Sequence, residues 1–112
     1  MEREFSWSDD SLRQLKKFKR KRPKLSEDVT NFEKEFSERR LPGDEVTKIG
    51  DTLAKEHRMM DSSSDKGKSG GFRVYYRYNE FRIVVHGVYL RRELTQRVRH
   101  EIQEMLKREG PL

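Results

Sequence analysis

One segment in the second half of the chain combines cations, tyrosines and glycines in a pattern that suits phosphate chemistry. It covers residues 66–92 and reads KGKSGGFRVYYRYNEFRIVVHGVYLRR. This composition predicts a basic loop with paired glycines, two neighbouring strands and a closing arginine pair. Paired glycines let a backbone approach a phosphate closely, and the lysines bring positive charge to the same place. We therefore expect a surface that grips a polyanion and that could also cleave it.

The first of these strands carries arginine and tyrosine on one face. Arg73, Tyr75 and Arg77 alternate with apolar residues, as in a strand with one apolar side. An arginine next to a tyrosine suits stacking on a nucleobase. The alternative is a solvated sheet face on which the arginines pair with carboxylates. From the residues alone, the solvated face is the slightly better interpretation.

The end of the second strand carries another group of polar side chains. Tyr89 and Arg91 would share a face if the strand continued that far, and Arg92 follows them. Strand ends that run into loops are favoured places for functional side chains. The alternative is that the arginines only solubilise the chain and begin the last helix.

A second basic region lies near the N-terminus, at residues 16–22. Six of its seven residues are lysine or arginine, and Lys17 and Arg20 are among them. The apolar face of this helix is short and is needed for the core, so membrane anchoring is not expected. We interpret the run as a salt-sensitive contact with nucleic acid phosphates.

Composition narrows the class of protein. A chain of 112 residues favours one domain over residues 1–112. The net charge of +6 indicates an acidic partner, and no cysteine is present for a disulfide or a thiolate. No apolar run approaches the length of a membrane span, so we expect a cytoplasmic protein. Three dispersed histidines lack ligand spacing, and we predict no metal site.

The predicted elements form a small α+β domain. They are a short strand at residues 4–7, a helix capped by Ser8 and ended by Pro23, a helix capped by Ser26, strands at 57–60, 72–78 and 81–89, and a helix around 98–106. Residues 45–54 have no clear period, and 61–71 read as an exposed, mobile loop. Consecutive strands should pair antiparallel, giving an antiparallel-dominated sheet with the helices packed on one face.

From Lys66 onward the chain resembles the RelE/ParE toxin superfamily, and is nearest its RelE- and HigB-like ribosome-dependent ribonucleases. The segments KGKSGG-FRVYYRY, FRIVVHGVY and LRRE before a last helix carry the resemblance. The preceding strand–helix–helix order also fits. The resemblance implies a type II toxin that cuts mRNA in the ribosomal A site, without a metal or cofactor, and that a cognate antitoxin protein inhibits. In that chemistry the ribose 2′-OH attacks the adjacent phosphate and the 5′-oxygen leaves.

The resemblance also implies roles for individual residues. Arg73 matches the family's strand arginine, and Arg91 the arginine after the last strand. The implied catalytic set is Arg73, Arg91, Lys68, Lys66 and Tyr89, and the expected RNA-binding set is Arg58, Arg77, Arg92, Tyr75, Lys17 and Arg20. Arg58 is an alternative to the two lysines. The tyrosine that some relatives carry in the last helix has no match, because Arg97 lies near its place, and no strong general base is evident.

Three other functions stay open at this point. Within the same superfamily, a ParE-like gyrase inhibitor would poison its target without catalysis. A non-catalytic RNA-binding module would bind by shape and phosphate contacts and leave the RNA intact. A ribosome-associated structural protein would share the lysine-rich composition.

Overall fold

The computed structural model describes residues 3–36, 41–64 and 71–112. The elements in chain order are β1 (Glu4–Trp7), α1 (Asp9–Lys19), α2 (Leu25–Glu35), β2 (Asp44–Ile49), β3 (Thr52–Met59), β4 (Phe72–Tyr78), β5 (Arg82–Leu90), a 3₁₀ turn (Arg91–Glu93) and α3 (Gln96–Glu109). The strands form one five-stranded sheet in the order β1-β5-β4-β3-β2. β1 runs parallel to β5 and the other neighbours are antiparallel. The predicted α+β class is confirmed, with a mixed sheet.

The helices begin where short polar side chains can satisfy their first N–H groups. The Ser8 hydroxyl accepts from the Ser11 N–H at 3.1 Å and caps α1, as predicted. Thr95 caps α3 in the same way. α2 begins one residue before Ser26, which therefore lies in its first turn and is not the cap. Among the residues that the structure describes, none of the helices is long and apolar enough to cross a membrane.

Both faces of the sheet are covered by helices. On one face Phe72, Val74 and Tyr76 of β4 pack in the large core under α1 and α2. On the other face Tyr75 packs against Ile102 and Leu106 of α3. The expectation of helices on one face is therefore wrong for the last helix. The physical reason is that a central strand alternates its side chains, and β4 is buried on both sides.

The hairpin of β2 and β3 replaces the predicted loop at residues 45–54. Its two-residue turn is Gly50-Asp51, and Gly50 has a φ of +60°. Such a Gly-Asp pair is a hairpin signal. The alternation on β2 is interrupted because the register shifts at Val46, and this edge strand carries charged residues on its exposed side.

The start of the predicted mobile loop is tied to the helices. Asp61 is 2% exposed, and its Oδ2 lies 2.9 Å from Nε of Arg22. The N–H of Ser62 donates to Asp28 at 2.9 Å. Residues 61–64 are therefore not the exposed start of a loop. The buried Asp61 pairs with Arg22, and the buried Asp28 accepts the Ser62 N–H. Lys66 and Lys68 lie outside the described residues.

α1 covers the free edge of β5 where β1 ends. β1 pairs with β5 only as far as Trp7, which lies opposite Val85. Beyond this point the N–H of Ser8 donates to the Val85 carbonyl at 2.9 Å. The Val88 N–H donates to Oε1 of Gln14 at 2.8 Å. Polar groups of the first helical turns thus satisfy strand groups that lack a strand partner.

Candidate anion-binding site

Four arginines meet at one end of the sheet, on the face that α3 covers. We call Arg58, Arg73, Arg91 and Arg99 the arginine cluster. Arg58 on β3 and Arg73 on β4 are direct cross-strand partners, an arrangement in which like charges repel. The charges of Arg58, Arg91 and Arg99 all act on Arg73 and lower its pKa.

Arg73 is the most buried member of the cluster. It is 7% exposed, and its Nη1 donates to the Phe72 carbonyl at 3.1 Å. Burial is the largest cause of its lowered pKa, followed by the charges of Arg58 and Arg91. Within the described ranges, Arg73 forms no ion pair with a carboxylate. A guanidinium has five donor hydrogens in a fork that matches phosphate oxygens, so this side chain has unused capacity for an anion.

Glu56 is the carboxylate whose charge acts on Arg73. Both its oxygens accept from Nη1 of Arg99 at 2.8 Å, and the same nitrogen lies 3.3 Å from the Tyr75 hydroxyl. Burial, followed by the charge of Glu56, raises the pKa of Tyr75. Reasoning from the sequence missed Glu56, because the strand predicted at residues 57–60 begins one residue too late to include it. The Gly50-Asp51 turn is the signal that could have located it.

Tyr89 lies beside Arg73 as its cross-strand partner on β5. Its ring rests on Gly87, where an added Cβ would come within 2.6 Å of Cε2 of the ring. The ring also meets Tyr75 edge-on, with centroids 5.8 Å apart. Burial raises the pKa of Tyr89. Tyr89 is therefore a neutral phenol at physiological pH, which can donate a proton but is poorly suited to accept one.

The 3₁₀ turn after β5 places the last two predicted arginines at the surface. Arg91 and Arg92 are both exposed. The Arg91 N–H donates to the Gly71 carbonyl at 3.3 Å, which holds the turn against the start of β4. Glu93 accepts from the Leu90 N–H at 2.8 Å. Arg91 thus belongs to the cluster, and Arg92 lies at its rim.

Two residues of the predicted RNA-binding set are interior. Arg77 is 5% exposed, donates to His86 at 2.7 Å and also hydrogen-bonds the Gly110 carbonyl. It holds the end of α3 against the sheet. Tyr75 is 2% exposed beneath α3. Neither side chain is available to stack on a base, because the helix that was expected on the other face covers both.

The predicted contacts on α1 lie at the same end of the molecule as the arginine cluster. Lys17 and Arg20 are exposed. Between them, the Phe18 ring packs on Phe72 with centroids 5.1 Å apart, and Phe72 directly precedes Arg73. The basic half of α1 therefore adds positive charge at the same end of the sheet as the cluster, on the opposite face.

The cluster combines what phosphate chemistry needs. Arg58, Arg73 and Arg91 supply cations, Glu56 is a carboxylate beside them, and Tyr89 is a neutral donor. In water-poor surroundings, such preorganised donors stabilise developing negative charge strongly. No protein-family model, curated protein or solved structure matched this chain.

Proposed function

We propose that this protein is the toxin of a type II toxin–antitoxin system and a metal-independent endoribonuclease that cuts mRNA in the ribosomal A site. The observation that carries the proposal is Arg73, a buried cation flanked by Arg58 and Arg91 and without a carboxylate in ion-pair contact among the described residues. The resemblance of residues 66–92 to RelE-like ribonucleases supports it. The site of action is the cytoplasm, and the partners are the programmed ribosome and a cognate antitoxin.

The reaction is an intramolecular transesterification. The ribose 2′-oxygen bonds to phosphorus, the bond from phosphorus to the 5′-oxygen breaks, and a 2′,3′-cyclic phosphate forms. The phosphorane-like state carries extra negative charge, which Arg73, Arg58 and Arg91 stabilise. Lys66 and Lys68 position the neighbouring phosphates, and Arg92 contacts the strand at the rim.

Glu56 and Tyr89 move the two protons. Glu56 accepts the proton of the 2′-OH, because it is the carboxylate beside Arg73 and Arg99 fixes both its oxygens. Tyr89 donates its phenolic proton to the leaving 5′-oxygen, since its raised pKa keeps it protonated. This assignment gives the reaction the general base that was not evident from the sequence.

Cleavage of mRNA on programmed ribosomes tests the proposal. Arg73→Ala should lower the cleavage rate by about 10²–10³, the usual loss when one stabilising donor is removed. Glu56→Gln should also lower the rate, because the amide accepts a proton poorly. The control is Arg82→Ala, an exposed arginine at the start of β5. It precedes Ile83, which pairs with Tyr78 at the far end of β4 from Arg73. Wild-type cleavage by Arg73→Ala would disprove the catalytic role.

A second candidate function is RNA binding without cleavage. It is favoured by the contact between Glu56 and Arg99, because both Glu56 oxygens are already engaged by the Arg99 guanidinium. This candidate predicts that Arg73→Ala weakens RNA binding while the wild type leaves RNA intact. Growth arrest on expression, relieved by Glu56→Gln, would favour the nuclease.

A further inference from the structure

We propose that the cleft between α3 and the β2–β3 hairpin is a nucleobase site, which takes the base of the nucleotide on the 5′ side of the cleaved bond. This inference rests on the proposed function and deepens it, because it names the part of the RNA that the protein reads. The cleft has a volume of about 260 Å³, and its lining includes Val46, Glu56, Gln96, Arg99, His100 and Gln103.

The cleft begins at the arginine cluster. Arg99 is a member of the cluster and lines the cleft together with Glu56. Glu56 lies two residues before Arg58 on β3, on the same face, and Arg58 is the cross-strand partner of Arg73. Glu56 is therefore a diagonal neighbour of Arg73, at about 7–8 Å across the two strands. If Arg73 holds the attacked phosphate and Glu56 accepts the proton of the 2′-OH, the ribose with that hydroxyl lies at the mouth of the cleft, and its base can enter.

A row of polar side chains on α3 faces the cleft. Gln96, His100 and Gln103 follow one another at intervals of four and three residues, so they share one side of the helix. A different stripe, with Ile102 and Leu106, packs on the sheet. Gln96 and His100 are exposed, and their side chains have no hydrogen bond among the described residues. The packing of α3 therefore does not account for this row.

The backbone of β2 orients the amide of Gln103. Val46 is the extra residue at the register shift of β2, between Glu45 and Thr47. Its carbonyl accepts from Nε2 of Gln103 at 3.2 Å. Because a carbonyl can only accept, the amide nitrogen must face Val46. The amide oxygen thus stays available as an acceptor for an N–H group of a base.

These groups are the ones that recognise bases of single-stranded RNA. Such bases stack on histidine rings or on arginine planes, and their edges hydrogen-bond to polar side chains. His100 and Arg99 supply the planes, while the amides of Gln96 and Gln103 supply donors and acceptors. The cleft is smaller than the about 300–1,000 Å³ of pockets for drug-sized ligands, as expected for a site that takes one base.

Binding of nucleoside 3′-monophosphates tests the site without cleavage. In these probes the phosphate and the base have the same relation as in the nucleotide on the 5′ side of the cut. We expect the wild type to bind at least one of them about 5-fold or more tightly than inorganic phosphate, the smaller effect of stacking one base. His100→Ala and Gln96→Ala should reduce this ratio and keep the affinity for inorganic phosphate. Arg73→Ala should weaken the binding of both probes.

Asn31→Ala is the matched control. Asn31 is an exposed, neutral, polar residue of α2, which covers the opposite face of the sheet. This variant should keep the wild-type ratio. A wild type that binds no nucleotide more tightly than phosphate, or a ratio that both cleft variants keep, would reject the base site. Equal weakening of nucleotide and phosphate binding would mean that the cleft variants disturb the arginine cluster, with the same consequence.

Cleavage on programmed ribosomes identifies the side of the cut that is read. The wild type should cut messages that differ only in the base 5′ to the cut at different rates, and His100→Ala should reduce these differences. A change in preference only for the base 3′ to the cut would overturn the assignment to the 5′ nucleotide. If the wild type does not cut mRNA, the nuclease proposal fails, and the affinities for 3′-monophosphates still decide whether the cleft binds a base beside a bound phosphate.

Discussion

Among the residues that the structure describes, the Arg73 guanidinium has one hydrogen bond, to its own strand, and three other arginines act on it electrostatically. A buried cation without a paired carboxylate lowers the free energy of unfolding, and proteins retain such groups mainly at functional sites. The burial that lowers the free energy of unfolding also prepares the site. A bound phosphate would give Arg73 the hydrogen bonds that it lost when it was removed from water.

Replacing Arg73 by Met should therefore separate stability from binding. We expect Arg73→Met to unfold with a free energy equal to the wild type or about 1 kcal/mol higher, since an apolar side chain suits the buried position. Phosphate at 100 times its dissociation constant should add about 2.7 kcal/mol to the wild type and nothing to the variant. Thermal unfolding in phosphate and in chloride at matched ionic strength measures both.

Arg82→Met is the matched control, because Arg82 is exposed. It should keep the response to phosphate. Loss of that response in both variants would show that phosphate acts on the overall positive charge and not at Arg73.

His86 makes the stability of the protein depend on acidity. Burial and the nearby Arg77 lower its pKa from 6.5 to about 4. As the pH falls, the unfolded chain therefore takes up the proton first, so the stabilisation is complete above 6.5 and is lost towards 4. The unfolding midpoint should fall through this window, and less steeply in His86→Gln, which can still accept from Arg77. His100→Gln, on the exposed side of α3, should keep the wild-type slope.

At the scale of elements, Gly87 tests whether β5 seats the Tyr89 ring. In Gly87→Ala the new Cβ would lie 2.6 Å from Cε2 of the ring, so the ring must move while the backbone, which has no positive φ there, is retained. We expect a loss of stability of about 1–2 kcal/mol and a loss of cleavage comparable to that of Tyr89→Phe. A crystal structure of the variant with an unmoved ring, or wild-type cleavage, would contradict this.

The sequence predicted those elements whose local signals agree with their packing. Ser8 and the alternation in residues 72–78 both act within a few residues, and α1 and β4 lie where expected. The strand predicted at residues 57–60 covers only the end of β3. β2 was missed because this edge strand is charged, interrupted at Val46 and stabilised by pairing with a neighbour. The side of the sheet that α3 covers depends on two buried residues, Ile102 and Leu106.

The site was also predicted only in part, because some of its residues lie on elements whose positions depend on contacts between distant parts of the chain. Arg73, Arg91 and Tyr89 stand at strand ends that the pattern located. Glu56 lies on the part of β3 that was not predicted, and Arg99 lies on a helix that was expected on the other face of the sheet.

At the scale of the whole molecule, the arginine cluster and the basic half of α1 lie at the same end of the sheet. RNA binding there should be strongly salt-dependent. A double variant, Lys17→Ala with Arg20→Ala, should reduce the slope of log K against log salt by about 1.4, since each phosphate contact on a single strand contributes about 0.7. Fluorescence anisotropy with a labelled single-stranded RNA at several salt concentrations measures the slope.

The control for this prediction removes the same charge from the far end of the sheet. Lys48→Ala with Arg82→Ala should leave the slope near the wild-type value, because both residues are exposed and lie on strands at that end. Equal reductions in the two double variants would mean that RNA responds to net charge alone.

The parallel pairing of β1 with β5 has a consequence for the nascent chain. Glu4 pairs with Arg82, so the first strand made must wait for the last strand before it finds its place in the sheet. Contacts of such long separation form late, and the chain emerges N-terminus first. Tyr89 and Arg99 are also translated after the first four strands. A chain synthesised only as far as β4 thus has neither the pairing of β1 with β5 nor a complete anion site, and the activity proposed above would be absent until β5 and α3 are made.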